Sequence, residues 1–234
     1  MPPSIALRTE KLCRTLTGEI PVRLVRDADV SINAGEFVAI TGPSGSGKSS
    51  LLYLLGLLDR PTSGKLWLQD IETSKLGAGK LANLRLSRIG FVFQSHFLLP
   101  EFTAAENVML PMQKLGKLGA TAARKRAVDI LESLGLGAQI DKLPKQMSGG
   151  QSQRVAIARS MANDPDIILA DEPTGNLDTA SSQNVQGILQ KLAHERGRTV
   201  VFVTHDPAFA QIADRVIHIV DGQITAMDTA PTSA

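Results

Sequence analysis

The chain of 234 residues has a single cysteine, Cys13, one tryptophan, one tyrosine and seven phenylalanines, with no aromatic residue before Phe37. One thiol excludes an internal disulfide and fits a reducing compartment. No apolar run approaches the roughly 20 residues that span a bilayer. The longest, from Leu51 to Leu58, is interrupted by Tyr53 and Gly56. The start, Met1-Pro2-Pro3-Ser4, lacks the charged and apolar regions of a secretory signal. Charge is nearly balanced, with 25 Lys and Arg against 23 Asp and Glu and a net charge of +2. Nothing in that balance demands nucleic acid or a strongly acidic partner. These absences lead to the expectation of a soluble cytoplasmic chain that reaches a membrane only through a partner. No internal repeat or low-complexity segment is present.

What is there alternates. Ile5-Ala6-Leu7, the region from Val22 to Ile32, and Glu36 to Thr41 read as strands, followed by a helix from about Lys48 to Leu58. Leu66-Trp67-Leu68 and Ile89 to Phe93 read as further strands. From about Thr103 to Ala162 the period becomes helical, with breaks at Pro111, Gly116, Gly119 and Gly135-Leu136-Gly137. Within it the basic triplet Arg124-Lys125-Arg126 reads as a solvated helix face, with a partner or lipid contact as the alternative. The last third returns to alternation: strand Ile167 to Asp171, helix Thr179 to Arg196, strand Thr199 to Val203, a short helix after Pro207, strand Arg215 to Val220 and a final strand. Such alternation predicts an α/β core with parallel pairing and an inserted helical subdomain. The expected organisation is one domain over 5–227, the helical subdomain over about 95–162, and a loose tail over 228–234.

Gly42-Pro43-Ser44-Gly45-Ser46-Gly47-Lys48-Ser49 fits the G-x-x-x-x-G-K-[ST] phosphate loop, with an apolar strand before it and a helix after it. Small residues let the backbone N–H groups converge on phosphate oxygens, and the helix adds its positive N-terminal end. Lys48 is placed to reach the β- and γ-phosphates and the Ser49 hydroxyl to bind Mg²⁺. Ile167-Ile168-Leu169-Ala170 reads as a buried strand that delivers Asp171 and Glu172 at its carboxyl end, where open α/β sheets bind ligands. Asp171 then falls to the metal and Glu172 to the general base for an attacking water. The alternative for Glu172 is a cap on the turn at Pro173.

With those segments in place, the chain resembles the ATP-binding-cassette ATPases over roughly Ile5 to Thr225. Gln94, after Phe91-Val92-Phe93, matches the family's Q-loop, and Met147-Ser148-Gly149-Gly150-Gln151-Ser152-Gln153-Arg154 its signature. Asp178 in Gly175-Asn176-Leu177-Asp178 matches the D-loop, and His205 the switch histidine. The resemblance implies a P-loop ABC cassette: a mixed-sheet core, an N-terminal antiparallel β part and an inserted helical subdomain. It implies Mg²⁺-dependent hydrolysis of ATP in a head-to-tail dimer, with Ser50 completing the phosphate loop. Gln94 would sense Mg²⁺ and link the site to a transmembrane permease subunit. Ser148, Gly149, Gly150 and Gln151 would serve the γ-phosphate held by a second copy, Asp178 the dimer interface, and His205 the γ-phosphate and water. For the signature, an ordinary serine cap is the alternative.

Gly90-Phe91-Val92-Phe93-Gln94, Leu98-Leu99-Pro100, Glu106-Asn107-Val108 and Ala170 to Asp178 resemble the branch serving lipoprotein release and macrolide export. The cell-division and cell-wall regulatory ATPases are the alternative, and a soluble cassette acting on DNA or ribosomes a lesser one. The position is then peripheral, on the cytoplasmic face of the membrane. Phe97, Leu98 and Leu99 are candidates for a coupling groove or for core packing. His96 is a candidate at the same groove, whereas His194 and His218 read as surface or structural. The family's base-stacking aromatic falls within about Lys11 to Gly18, where this chain has only Leu12, Cys13, Leu16 and nearby aliphatics. Packing the purine on aliphatic carbon forgoes about 1 kcal/mol of aromatic stacking.

Overall fold

The computed structural model describes residues 4–229. β1 (Ile5–Leu16), β2 (Val22–Ala28) and β3 (Ser31–Asn33) open the chain, and β4 (Phe37–Thr41) leads through the glycine loop into α1 (Lys48–Leu55). β5 (Ser63–Leu68), β6 (Ile71–Glu72), α2 (Ala78–Arg88) and β7 (Ile89–Phe93) follow. Three helices, α3 (Ala104–Leu115), α4 (Ala120–Ser133) and α5 (Gly149–Ser160), separate β7 from β8 (Ile167–Asp171). The chain closes with α6 (Thr179–His194), β9 (Thr199–Val203), α7 (Pro207–Gln211), β10 (Arg215–Val220) and β11 (Gln223–Thr229).

Two sheets result. An antiparallel one has the order β2-β1-β5-β6, with β3 also paired to β1. The central one has the order β11-β10-β4-β9-β8-β7, parallel throughout except for β11 at its edge. Buried strands such as Thr199-Val200-Val201-Phe202-Val203 are apolar on both faces because helices cover both. One face packs with α1 against the antiparallel sheet; the other meets α6 and α7 through Phe37, Phe202 and Phe209. A third apolar cluster, built on Val108, Met112, Leu131 and Val155, joins the three inserted helices.

Four expectations are revised. Pro111 does not break α3 but lies inside it, with its carbonyl accepting from Asn163 Nδ2 at 3.0 Å. The Val22–Ile32 region divides into β2 and β3, parted at Asp29 and Val30, where the Asp29 side chain accepts the Lys11 N–H. Helix α1 stops at Gly56, earlier than Leu58, and Leu57 turns to φ 58°. Asp228 and Thr229 complete β11 against Val216 and Arg215, so they belong to the sheet, and 230–234 lie outside the described residues.

Candidate functional site

Four neighbouring parallel strands deliver the chemistry to one edge. β4 runs into the glycine loop, β9 into Thr204-His205, β8 into Asp171-Glu172 and β7 into Gln94. Their register aligns Phe93 with Asp171, Asp171 with Val203, and Val203 with Ile40. Residues far apart in sequence therefore meet at the carboxyl ends of a sheet, the usual ligand edge of such folds.

The loop itself is braced from behind. The Gly222 N–H donates to the Ser46 carbonyl at 2.9 Å, and the Arg26 N–H to the Gly222 carbonyl at 2.8 Å. Gly47 caps α1 at φ 98°, and a Cβ there would strike the Leu24 carbonyl, so only glycine fits. Lys48 is 7 % exposed, and its ammonium donates to the carbonyls of Gly42 (3.0 Å) and Pro43 (2.8 Å). The Ser46 hydroxyl is buried with no partner among the described residues. A buried orphan hydroxyl, a lysine parked on its own loop and the free N–H groups of the first α1 turn together suit a bound polyphosphate.

Ser49 Oγ donates to Asp171 Oδ1 at 2.8 Å, and Tyr53 OH donates to Asp171 Oδ2 at 2.6 Å. Burial pushes the Tyr53 phenol pKa up, helped by the hydrogen bond to Asp171 and by its charge. Among the described residues no three acids, histidines or cysteines gather into a protein-only metal site. One carboxylate and one hydroxyl instead match Mg²⁺, a hard cation that is held jointly by a few protein oxygens and substrate phosphates.

Glu172 sits at φ 45°, a left-handed backbone unusual for a non-glycine residue. Its N–H donates to the Val203 carbonyl at 3.1 Å, and its carboxylate lies 3.2 Å from His205 Nδ1. Gln94 Nε2 donates to Asn176 Oδ1 (3.2 Å), and Asn176 Nδ2 donates back to the Gln94 carbonyl (3.3 Å). The loop after β7 is thus tied to the turn before Asp178.

Ser148, Gly149, Gly150, Gln151 and Asp178 form a second group. Ser148 caps α5 by accepting the Gln151 N–H, while the Gln151 side chain accepts the Ser148 N–H, a reciprocal capping box. Asp178 caps α6 through the Ser181 N–H and hydroxyl, and these two bonds hold its carboxyl below the usual range. The two helix starts touch where Gly150 meets Ser181, a contact too close for any Cβ. They line a shallow pocket of about 240 Å³ with Arg154 and Asn184. Among the described residues no hydrogen bond joins this group to the loop over Gly42 to Ser50.

A model of the ABC transporter family matches residues 25–175. The chain belongs to that family. The lipoprotein-releasing system ATP-binding protein LolD 1 of Chlorobium chlorochromatii is 48% identical over 224 residues, 95% of this chain and 91% of that protein. The macrolide export ATP-binding/permease protein MacB 1/2 of Paracoccus denitrificans is 53% identical over 210 residues, 90% of this chain but 31% of that protein. Among solved structures, a dimeric post-hydrolysis ATP-binding cassette bound to ADP and Pi superposes with a TM-score of 0.89 at 41% identity. That likeness covers 96% of this chain and 99% of that one. The cassette is an ATPase with the mixed sheet, antiparallel β part and inserted helices expected of it.

Around the site the cassette resolves several open choices. Phe97 (65 % exposed) and Leu99 (42 %) face solvent, whereas Leu98 packs into the inserted helical core. Arg159 holds this loop through the carbonyls of Phe97 (2.6 Å) and His96 (2.8 Å). Burial lowers the His96 pKa, and its Nε2 is buried without a hydrogen-bond partner among the described residues. His194 pairs with Asp214 at the surface. His218 lies 2.7 Å from Thr41 Oγ1 and 3.2 Å from Asp228, behind the loop. Of the basic triplet, Arg124 pairs with Asp141 and Arg126 with Asp164, which fits a solvated face.

Three side chains at the site escape a reading of the sequence. Buried Gln153 donates to the carbonyls of Phe93 (3.1 Å) and Pro173 (2.7 Å), clamping the strand ends that carry Gln94 and Glu172. Asn176 reads in sequence only as part of a motif. Tyr53 reads there only as an interruption of an apolar run, although its spacing of four from Ser49 puts both on one helix face.

Proposed function

We propose that the cassette hydrolyses ATP with Mg²⁺ as a head-to-tail dimer, bound peripherally to a transmembrane permease in the lipoprotein-release and macrolide-export branch. The observation that carries it is the meeting at one sheet edge of a phosphate loop, a Ser49–Asp171 pair and a Glu172–His205 pair. Support for the dimer comes from the likeness to a dimeric cassette, and for the branch from the relatives named LolD and MacB. No helix among the described residues is long and apolar enough to cross a membrane, which supports a peripheral position.

In this reading Lys48 leaves the carbonyls of Gly42 and Pro43 for the phosphates, while the backbone from Gly42 to Ser50 cradles them. Ser49 and Asp171 would hold Mg²⁺, with Gln94 just past β7, the strand paired to that of Asp171. The metal supplies charge neutralisation on the phosphate oxygens. Glu172 accepts the proton of the water that attacks the γ-phosphorus, and His205 steadies that carboxylate and the γ-phosphate. Ser148, Gly149, Gly150 and Gln151 offer a helix start and a free hydroxyl proton to the γ-phosphate on the other copy. Asp178 stands at the seam. The base rests on aliphatic carbon: Leu16 and Val22, paired across β1 and β2, are 44 % and 51 % exposed, with Ile20 at 82 %. Leu12 takes no part because it is buried in the core. The exposed Phe97 and Leu99 supply the permease contact.

Glu172→Gln tests the reading. It keeps ATP binding, lowers turnover by about 10²-fold or more, and accumulates a nucleotide-bound dimer in size-exclusion chromatography. Wild-type turnover in that variant refutes the base assignment. Affinity purification from membranes then identifies the permease, and recovery of a cell-division or cell-wall regulator instead overturns the branch.

A further inference from the structure

Tyr53 is the only tyrosine in the chain, and its hydroxyl lies 2.6 Å from Asp171 Oδ2. Ser49, one helical turn earlier on α1, donates to the other oxygen, Oδ1, at 2.8 Å. Both oxygens of one carboxylate are therefore claimed by donors from a single helix face. The two donors differ in what else they do. Ser49 is assigned to the metal and must turn its oxygen there, so it is a poor permanent anchor for Asp171. The Tyr53 hydroxyl bonds only to Asp171 among the described residues. Its ring stands edge-on to Phe93 at 6.4 Å, and Phe93 is the register partner of Asp171 on the neighbouring strand. The phenol is thus held by the same pair of strands that carries the acid.

We propose that Tyr53 is a positioning residue that fixes the Asp171 carboxylate for the metal-bound nucleotide, rather than a packing residue of α1. The proposal rests on the reading of Asp171 as a metal ligand. A carboxylate with one oxygen pinned can rotate about fewer bonds, which leaves the other oxygen aimed before the metal arrives. Partners that orient ligating groups from behind typically change metal affinity by about 10- to 100-fold when removed. Tyr53→Phe keeps the ring and its contact with Phe93 and deletes only the donor.

The test uses the full chain. ATP affinity is measured in EDTA and then as Mg²⁺ is titrated in, with Tyr53→Phe and Asp171→Asn beside the wild type. For Tyr53→Phe the affinity in EDTA stays at the wild-type value, while the Mg²⁺ concentration for half-maximal tightening rises about tenfold. A wild-type Mg²⁺ requirement in Tyr53→Phe overturns the proposal, as does an equal loss of affinity with and without metal, which marks a structural role. If Asp171→Asn also leaves the requirement unchanged, the metal assignment fails as well; if it alone raises it, only the role of Tyr53 falls. A second readout needs no substitution. With ¹³Cζ-labelled tyrosine the protein gives one ring-carbon resonance, which moves when Mg²⁺ is added to the ATP complex and not when ATP is added in EDTA. A resonance indifferent to Mg²⁺ overturns the proposal, including where Tyr53→Phe does not fold.

Discussion

Asn107 is fully buried at the start of α3, and its side chain ties down the loop that follows Gln94. Its amide nitrogen lies within 3.1 Å of the carbonyls of Leu99, Phe102 and Thr103, and its oxygen accepts the Leu99 N–H at 2.8 Å. Two amide hydrogens serve three carbonyls, so the side chain makes the equivalent of three hydrogen bonds. At about 1 kcal/mol net for each bond, Asn107→Ala costs about 3 kcal/mol. For a chain of this size that lowers the melting temperature by about 6–12 °C. Asn107→Asp is the sharper test, because it is nearly isosteric yet turns the donor edge into an acceptor facing three carbonyls. It should be less stable than Asn107→Ala at neutral pH. A carboxyl in that setting is easier to protonate folded than unfolded, so its folded-state pKa is raised. Stability is then present at low pH and lost as pH rises through that value, and the deficit of Asn107→Asp should shrink on going from about pH 7 to about pH 5. Circular dichroism melts of the three proteins at both pH values decide it. The reasoning fails if Asn107→Asp matches or exceeds Asn107→Ala at neutral pH, or if Asn107→Ala melts like the wild type.

Lys48→Ala removes the charge-assisted bonds to phosphate and should weaken ATP binding by about 10- to 100-fold, read by equilibrium titration; unchanged affinity argues against the loop assignment. Gly90→Ala puts a methyl against the Ser160 carbonyl, where β7 meets the end of α5. With backbone on both sides, this should cost about 3 kcal/mol in urea unfolding. Glu106 and Asp178 are both held below the usual carboxylate range, by bonds from Thr103 and Ser181 respectively. Their folded pKa values are depressed, so their support is present above the unfolded value and lost as pH falls through the folded one. Asn at 178 still caps α6 but does not titrate, so Asp178→Asn should lose less stability than the wild type between about pH 5 and pH 3.

Much of the fold and the outline of the site can be read from the chain because they rest on local patterns. The glycine loop between strand and helix, the buried run before Asp171 and the apolar stretch before His205 each carry their signal within a dozen residues. The parts that escape depend on distant partners. Helix α2 begins Ala78-Gly79 and buries no residue fully, so its leucines give only a weak period, and it becomes visible only beneath β7. Pro111 reads as a breaker because it has no N–H to donate, yet α3 runs through it within the packing of the inserted helices. Gln153 and Asn107 read only as members of motifs until the carbonyls they clamp come into view. The Ser148 segment is the reverse case: its residues announce a ligand, and in the single chain they form a helix cap.

Lys48 has a consequence for what the loop will accept. Its ammonium gives two of its three N–H donors to the loop's own carbonyls, those of Gly42 and Pro43, which leaves one over. A lone halide or carboxylate could take that third donor but would find few further partners for its charge. A triphosphate brings many oxygens at once and meets the lysine, the Ser46 hydroxyl and the helix N–H groups together, so it wins by chelation where small anions lose. The loop's donors thus favour a ligand of high valency, without any wall or gate to exclude smaller anions.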